Sequence, residues 1–416
     1  VQDELLPQYA LSTLRRAIPA LDGFKDATRK VLFGARELNL RGEEGISVAN
    51  AAGKIASRTN YHHRGTAMED TIIGMAADYT GTSNINLFRP LGQFGTRYKH
   101  MAASAAYPKV SLNDPVQEML FPRADDPILT HVVEEGQTVE PEMYYPIIAM
   151  PLVMGSKGIA TGWSTDVPQH HPVHVIDATL SHLSGASECT LKPWYRGFDG
   201  DVFPNIEGDE IKSYTIRGRY EWKGADLHVT EVPPQREVEA YKEDWLKADI
   251  ASDVVPSDGN LDEKVHVVLK NCSLPRDAEL YSKLGIERRI TYTNMHLLNA
   301  RGKLSRYDAV GDIIRDHASL RLSAYTKRIA HTISVLTRKL TIARNRTLFV
   351  ELCISGEINL RNMSNDEEAA EELSKHGLDA IDDSYDYLLD MRMRSLTMER
   401  RARLESEAEA VEKELN

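Results

Sequence analysis

Tyr107 closes the run MAASAAY (residues 101–107), where Ala102, Ala103, Ser104, Ala105 and Ala106 leave the backbone free of bulk, and Pro108 follows it. A phenol carries a nucleophilic oxygen, but most tyrosines bury the ring and wet the hydroxyl, so its neighbours must decide its role. His62–His63 and His170–His171 offer imidazoles in adjacent pairs. Adjacent side chains diverge on most backbones, so neither pair forms a metal site by itself. The stretch GISVANAAGKIAS (45–57) looks like a phosphate-binding loop, but its glycines stand too far apart. Ile55 also takes the place of the Ser or Thr that would hold Mg²⁺. No ATP is therefore expected on this chain. No HExxH motif is present, nor an acidic cluster beside a glycine-rich turn, so no metal ligand is assigned.

The charges are unevenly placed. The net charge is −12, which on its face discourages polyanions. From Arg15 to Arg64, however, Arg15, Arg16, Lys25, Arg29, Lys30, Arg36, Arg41, Lys54, Arg58 and Arg64 face only Asp22, Asp26, Glu37, Glu43 and Glu44. The acidic excess lies late, in NDEEAAEE (365–372) and ESEAEAVEKE (405–414). A basic end and an acidic end favour a DNA or RNA surface at the first. Cys189, Cys272 and Cys353 lie far apart, which suits a reducing compartment. No stretch is apolar enough to span a bilayer, so no membrane partner is expected.

Positioning these groups requires three kinds of structure. Residues 1–145 read as short helices with glycine-marked turns. TAMEDTIIGMAADY (66–79) carries a capping box of Thr66 and Glu69 ahead of Ile72, Ile73, Met75 and Ala76. Entered from the basic loop SRTNYHHRG, that helix would present free N–H groups and Arg64 to a phosphate. Short helices in a basic domain predict a helix-turn-helix or winged-helix module. Residues 146–300 change character: SYTIRGRYEW, ADLHVTEV and VHVVLKN predict strands of an α/β domain. Between Gly311 and Gly356 there is neither Gly nor Pro, and Leu322, Tyr325, Ile329, Ile333, Leu336, Leu340 and Ala343 keep helical spacing. Leu404, Ala408, Val411 and Leu415 form a second, coiled-coil-like seam. Two such helices in residues 301–416 predict an arm with a tip at about residues 353–395.

Eight stretches stand in one order: RRAIPALDGFKDATRKVLFGA (15–35), NYHHRGTAMEDTII (60–73), RPLGQFGTRYKHMAASAAY (89–107), VEPEMYYPIIAMPLVMGSKGIATGWSTDVP (139–168), KPWYRGFDG (192–200), TNMHLL (293–298), RLSAYTKR (321–328) and YDYLLDMRMRSLTMER (385–400). Together they resemble the breakage-and-rejoining subunit of type IIA DNA topoisomerases over essentially the whole chain. Layout is most similar to the T-even phage form, while several motifs read like eukaryotic topoisomerase II. The resemblance implies an α+β multidomain protein: a winged-helix DNA-gate domain at 1–145, an α/β tower at 146–300, and a coiled-coil arm with a C-terminal dimer gate at 301–416.

The resemblance also implies the chemistry. Tyr107 would attack one DNA strand and form a 5′-phosphotyrosyl bond, two subunits making a staggered double-strand break through which a second duplex passes. A phenol with a pKa near 10 needs cations to favour the phenolate and to stabilise charge on phosphorus. By family position His63 would hydrogen-bond near the scissile phosphate, with His62 beside it. Arg16, Lys25, Arg29 and Lys30 would line the DNA, Asp22 would orient that cluster or cap the turn at Gly23, and Arg64 and Thr66 would meet the backbone. Ile159 matches the residue that wedges into a base step and bends DNA; alone, an isoleucine there reads as core. Mg²⁺ and ATP are expected on a partner subunit. The other implied partners are double-stranded DNA and a second copy through the C-terminal gate, where Tyr387, Leu388, Leu389 and Met391 of the tip would supply the apolar contact. The implied place is the cytoplasm of a bacterial or phage-infected cell, or a nucleus if the source is eukaryotic or viral.

Three departures stand out. The family has arginine immediately before the nucleophile, where this chain has Ala106, and the pair Arg97–Tyr98 comes too early to replace it. RAIPALDG is one residue short, and Arg64 stands at a position usually held by glycine. Lys109 follows Pro108 and is not expected to reach the same oxygens, so the chain is expected to bind DNA and cleave it poorly. The rival readings are a non-catalytic DNA-binding gate, with Ala106 natural or engineered, and another tyrosine nuclease or recombinase. The recombinase lacks its Arg/His constellation here.

Overall fold

The computed structural model describes all residues except 1, 64, 186–188, 209, 257–263, 278, 360–364, 392–397 and 416. Contacts gather into two compact units, residues 1–324 and 325–416. The first mixes helices with antiparallel sheets, in keeping with the α+β class; the second is built from helices. No helix among the described residues is long and apolar enough to cross a membrane.

The first unit opens with α1 (Gln2–Ala17), whose last turn carries Arg15 and Arg16, cations suited to the carbonyl end of a helix. Three helices follow, α2 (Asp26–Glu37), α3 (Val48–Arg58) and α4 (Gly65–Ala76), with strands β1 (Ile46–Ser47), β2 (Phe88–Leu91) and β3 (Lys109–Leu112). This is the winged-helix content expected of the basic end. Leu32, Ala35, Ile55, Met68 and Ile72 bury between the helices. Gly34 permits the close crossing of α2 and α3, because a Cβ there would stand 2.9 Å from Ile55 Cγ2. The strands run β1–β3–β2, all antiparallel, with Lys109 paired to Ser47 on one side and to Leu91 on the other.

Two local expectations change. α4 begins at Gly65, so Thr66 is its second residue and the capping box does not form; Arg64, at its threshold, lies outside the described residues. The helix also stops at Ala76 and not at residue 79. Asn86 Nδ2 donates to the carbonyls of Ala76 (2.9 Å) and Ala77 (2.8 Å), taking up acceptors that a longer helix would use.

The same core continues past residue 145, taking in Met150, Leu152, Val153, Val175, Met295, Leu297, Ile313 and Ile314. Two hairpins lie along the way, β4 (His131–Glu134) with β5 (Gln137–Pro141), and β6 (Ser156–Ala160) with β7 (Trp163–Val167). Beyond them β8 (Asp201–Glu207), β9 (Glu210–Arg217), β10 (Arg219–Lys223), β11 (Asp226–Glu231), β12 (Asp253–Pro256), β13 (Val267–Lys270) and β14 (Glu287–Thr291) form sheets ordered β14–β9–β8 and β10–β11–β13–β12. The segments read as strands from β-branched alternation fall in β9, β10, β11 and β13. A second core of Val229, Trp245, Leu269 and Ile286 packs beneath the larger sheet. β15 (Met295–Leu298) pairs with β16 (Leu304–Tyr307).

The uninterrupted stretch after Gly311 is one helix, Val310–Ser355. Within the second unit its later turns pair with the last helix, Met398–Leu415. Arg344 bonds Glu412 at 2.7 Å and Glu351 bonds Arg401 at 3.3 Å, a register that makes the two antiparallel. Leu404 and Ala408 of the expected seam are buried. The tip has its own core of Phe349, Leu352, Ile358, Leu373, Leu378 and Leu388.

Candidate nucleic-acid interface

Tyr107 stands on a turn that the start of α3 holds. The Tyr107 N–H donates to Ser104 O at 2.9 Å, closing a turn with Ala105 and Ala106 at its corners. Helix starts leave N–H groups without partners, and α3 spends two of them here: Ala49 N–H binds Ala105 O and Val48 N–H binds Pro108 O, both at 2.9 Å. Upstream, Gln93 Oε1 accepts from the N–H groups of Gly95 (3.0 Å) and Ala103 (3.1 Å), tying down the loop that leads in. The result is a fixed backbone with an outward phenol. Tyr107 is 79% exposed and Ala106 is exposed beside it. An ordinary half-buried aromatic would not be.

His62 and His63 leave the other end of α3. Asn60 sits in the left-handed region (φ 47°), and Tyr61 N–H reaches back to Ala56 O at 3.0 Å, the closing bond of a Schellman turn. Tyr61 and His63 rings meet edge to face at 5.2 Å, and both histidines are exposed. Partial desolvation, then the positive charges of Arg16, His62 and Lys30, hold His63 below the ordinary histidine range. Exposed Arg16, on the last turn of α1, thus lies within the electrostatic reach of His63 despite the shortened motif. The 11 residues of α3 put about 16 Å between this group and the Tyr107 turn. Among the described residues no hydrogen bond or ring contact joins Tyr107 to His63.

The residues between them divide into those that face outward and those that do not. Asp22 is fully buried. Its carboxylate accepts from Phe24 N–H (3.0 Å) and Tyr144 N–H (3.0 Å), and from Arg29 Nε (2.9 Å) and Nη2 (3.1 Å). Asp22 thus caps the turn at Gly23 and holds the Arg29 guanidinium. Arg29 also donates to Asp26 (3.1 Å) and to Phe24 O (3.1 Å), and is 4% exposed. Burial opposes its charge most, but Asp22, Asp26 and Glu140 together outweigh burial and hold its pKa above the ordinary arginine value. Lys30 is 7% exposed, its ammonium bonded to Thr59 O (2.8 Å), Glu134 (3.0 Å) and Glu140 (2.9 Å). With its three donors used, Lys30 braces α2 against the β4–β5 hairpin. The partners of Arg29 and Lys30 thus lie inside the protein.

Lys25 is half-buried, its ammonium 2.7 Å from Lys157 O, and burial lowers its pKa. That bond fastens the β6–β7 hairpin, whose residue Ile159 is 87% exposed with Trp163 near the turn at 48%. The core reading of Ile159 is excluded. The hairpin seats closely on α1 at Gly158, where any Cβ would stand 1.9 Å from Ala17 O. Arg97 is buried and donates to the carbonyls of Val232, Pro233 and Arg236, so it anchors the loop before Tyr107 to the second core. Gln93 and the α3 N–H groups were not anticipated from sequence. Only the glycine-flanked GQFG stretch hinted at the former, and backbone donors leave no residue signature.

The first unit thus carries a winged-helix module with an exposed phenol on a pinned turn, and an exposed apolar hairpin. Comparison with known proteins agrees. The family model for the A-type subunit of DNA gyrase/topoisomerase IV matches residues 16–416, and the chain belongs to that family. It is 32% identical to DNA topoisomerase 2 of Arabidopsis thaliana over 94% of its own length and 30% of the relative's. It is 33% identical to DNA topoisomerase 2 of Trypanosoma cruzi, covering 92% of this chain and 31% of that one. The solved DNA-binding, cleavage and re-ligation domain of Plasmodium falciparum topoisomerase II superposes with a TM-score of 0.83 at 30% identity, over 99% of this chain and 60% of that one. The chain thus spans about a third of the curated relatives it matches.

Proposed function

We propose that this chain carries the DNA cleavage and rejoining chemistry of a type IIA topoisomerase, with Tyr107 as nucleophile. The observation that carries the reading is the exposed phenol on a turn fixed at both sides by the first N–H groups of α3. Fixing the nucleophile in advance removes orientational freedom before the phosphodiester arrives. The phenolic oxygen bonds to phosphorus as the bond to the 3′ oxygen breaks. The phenolic proton goes to solvent, which returns one to the 3′ oxygen. The ester conserves the bond, so reversal reseals the strand.

The separation of Tyr107 from His63 and Arg16 supports a two-fold assembly in which those groups serve different strands or different copies. His63, held neutral near pH 7, suits a hydrogen-bonding part at the phosphate. Ile159 is the wedge, gripped through Lys25 and Gly158. We read residues 146–300 as the tower and 301–416 as arm and dimer gate. Among the described residues no three His, Cys, Asp or Glu side chains gather as a metal ion requires. No step here runs through Mg²⁺. Mg²⁺ and ATP belong to a partner subunit or to regions outside these residues.

A second reading has its own observation. Ala106, exposed beside Tyr107, carries no charge, so a gate that binds DNA without cutting it is the alternative. Incubating the assembled enzyme with end-labelled duplex and denaturing rapidly separates them. Protein attached to the 5′ end supports cleavage, and tight binding without attachment supports the alternative.

A further inference from the structure

We propose that Lys109 supplies the phosphate-facing cation that Ala106 lacks. The inference rests on the reading of Tyr107 as nucleophile. Its ground is the alternation along the segment: Tyr107 is exposed, Pro108 buried, Lys109 exposed and Val110 buried. Proline restricts the residue before it to extended backbone, and Lys109 opens β3. In extended chain, residues two apart point to one side, about 6.6 Å apart along the strand. Tyr107 and Lys109 therefore share a face, and the proline that argued against Lys109 is what aligns the two.

The backbone of the segment is held on both sides. Pro108 O is bound by Val48 N–H, and Lys109 pairs with Ser47 and Leu91. Among the described residues no carboxylate forms an ion pair with Lys109, whereas Arg29, Lys30 and Arg97 are all taken up by internal acceptors. Arg89 lies on the same face, paired with Ser111, diagonal to Lys109 at about 7 Å. It is exposed as well, and extends the cationic face along the wing.

A flexible ammonium on a four-carbon stem is a point charge with three donors. It meets a non-bridging phosphate oxygen while the neighbouring phenol attacks phosphorus. It replaces arginine's charge but not its bidentate geometry.

The test uses the assembled enzyme under single-turnover conditions, following the 5′-linked adduct, with DNA affinity measured separately. Lys109→Gln is expected to slow adduct formation about a hundredfold while weakening DNA binding far less. Lys109→Arg is expected to restore most of the rate, Arg89→Gln to weaken binding with little change in rate, and Ala106→Arg to raise the unmodified chain's rate less than tenfold. Unchanged melting temperatures confirm that each variant folds. The proposal is overturned if Lys109→Gln cleaves within threefold of the unmodified chain, if Arg89→Gln is the variant that loses the rate, or if only Ala106→Arg makes any adduct. In that last case the tyrosine reading survives. If neither the unmodified chain nor Ala106→Arg forms adduct, the tyrosine reading fails as well.

Discussion

Asp22 grips Arg29 through two charge-assisted hydrogen bonds, Oδ2 to Nε at 2.9 Å and Oδ1 to Nη2 at 3.1 Å, with both side chains buried. Breaking such a pair leaves an uncompensated buried charge, which typically costs about 3–5 kcal/mol. Asp22→Asn and Arg29→Gln are each expected to destabilise the first unit by that order in urea titrations. Their losses should not add, because the two share one interaction. Additive losses would mean that each residue acts through separate partners.

Ile159 gives the opposite expectation. At 87% exposure it contributes almost nothing to the folded state, so Ile159→Ala should change stability by less than about 0.5 kcal/mol. DNA bending, read by energy transfer between labelled duplex ends, should fall. Unchanged bending would remove the wedge.

Two buried histidines set an acid limit. Burial pushes both His170 and His317 down to about 4. His170 bonds Leu152 O and the Tyr292 hydroxyl, each at 3.0 Å, and His317 bonds Pro146 O at 3.0 Å. The folded pKa values lie below that of an unfolded histidine, so the unfolded chain takes protons first. Stability is whole above about pH 6.5 and falls between there and about pH 4, by roughly 3 kcal/mol for each histidine. Melting curves across that window should show the fall, and replacing both with glutamine should flatten it. A profile unchanged by the double substitution would assign the acid limit to other groups.

The tip of the arm was expected to dimerise through Tyr387, Leu388, Leu389 and Met391. Leu388 is instead fully buried in the tip's own core, and the Tyr387 hydroxyl is held by Asn345 Nδ2 (2.6 Å) and Asp379 O (2.7 Å). Leu388→Ala should therefore cost about 2–5 kcal/mol of tip stability. Any loss of dimer in sedimentation should follow the unfolding of the tip. Loss of dimer from a fully folded variant would return Leu388 to the interface.

Much of this was legible in the chain. The gap between Gly311 and Gly356 and the apolar spacing within it fixed one helix, and β-branched alternation marked β9, β10, β11 and β13. The basic cluster at 15–64 pointed to DNA, but charge alone does not tell an outward cation from one neutralised inside. Lys30 and Arg29 are satisfied by Glu134, Glu140 and Asp22, and two of these partners lie more than a hundred residues away. Arg97 is drawn inward by carbonyls equally remote in sequence. Ile159 failed the hydrophobic-inside rule for the opposite reason: a two-residue turn carries it away from every core. The shared face of Tyr107 and Lys109 was in the letters, since Pro108 dictates it, but its meaning needed the burial pattern on either side.

Peptide mapping tests most directly whether Tyr107 attacks DNA. Assembled enzyme, unmodified or carrying Tyr107→Phe, should be mixed with 5′-labelled and 3′-labelled duplex, denatured, and digested to peptides for mass spectrometry. The unmodified enzyme should yield a nucleotide joined through a 5′ phosphate to the peptide containing Tyr107, and Tyr107→Phe should bind DNA equally well and yield none. An adduct that persists in Tyr107→Phe, or one mapped to another residue, would contradict it.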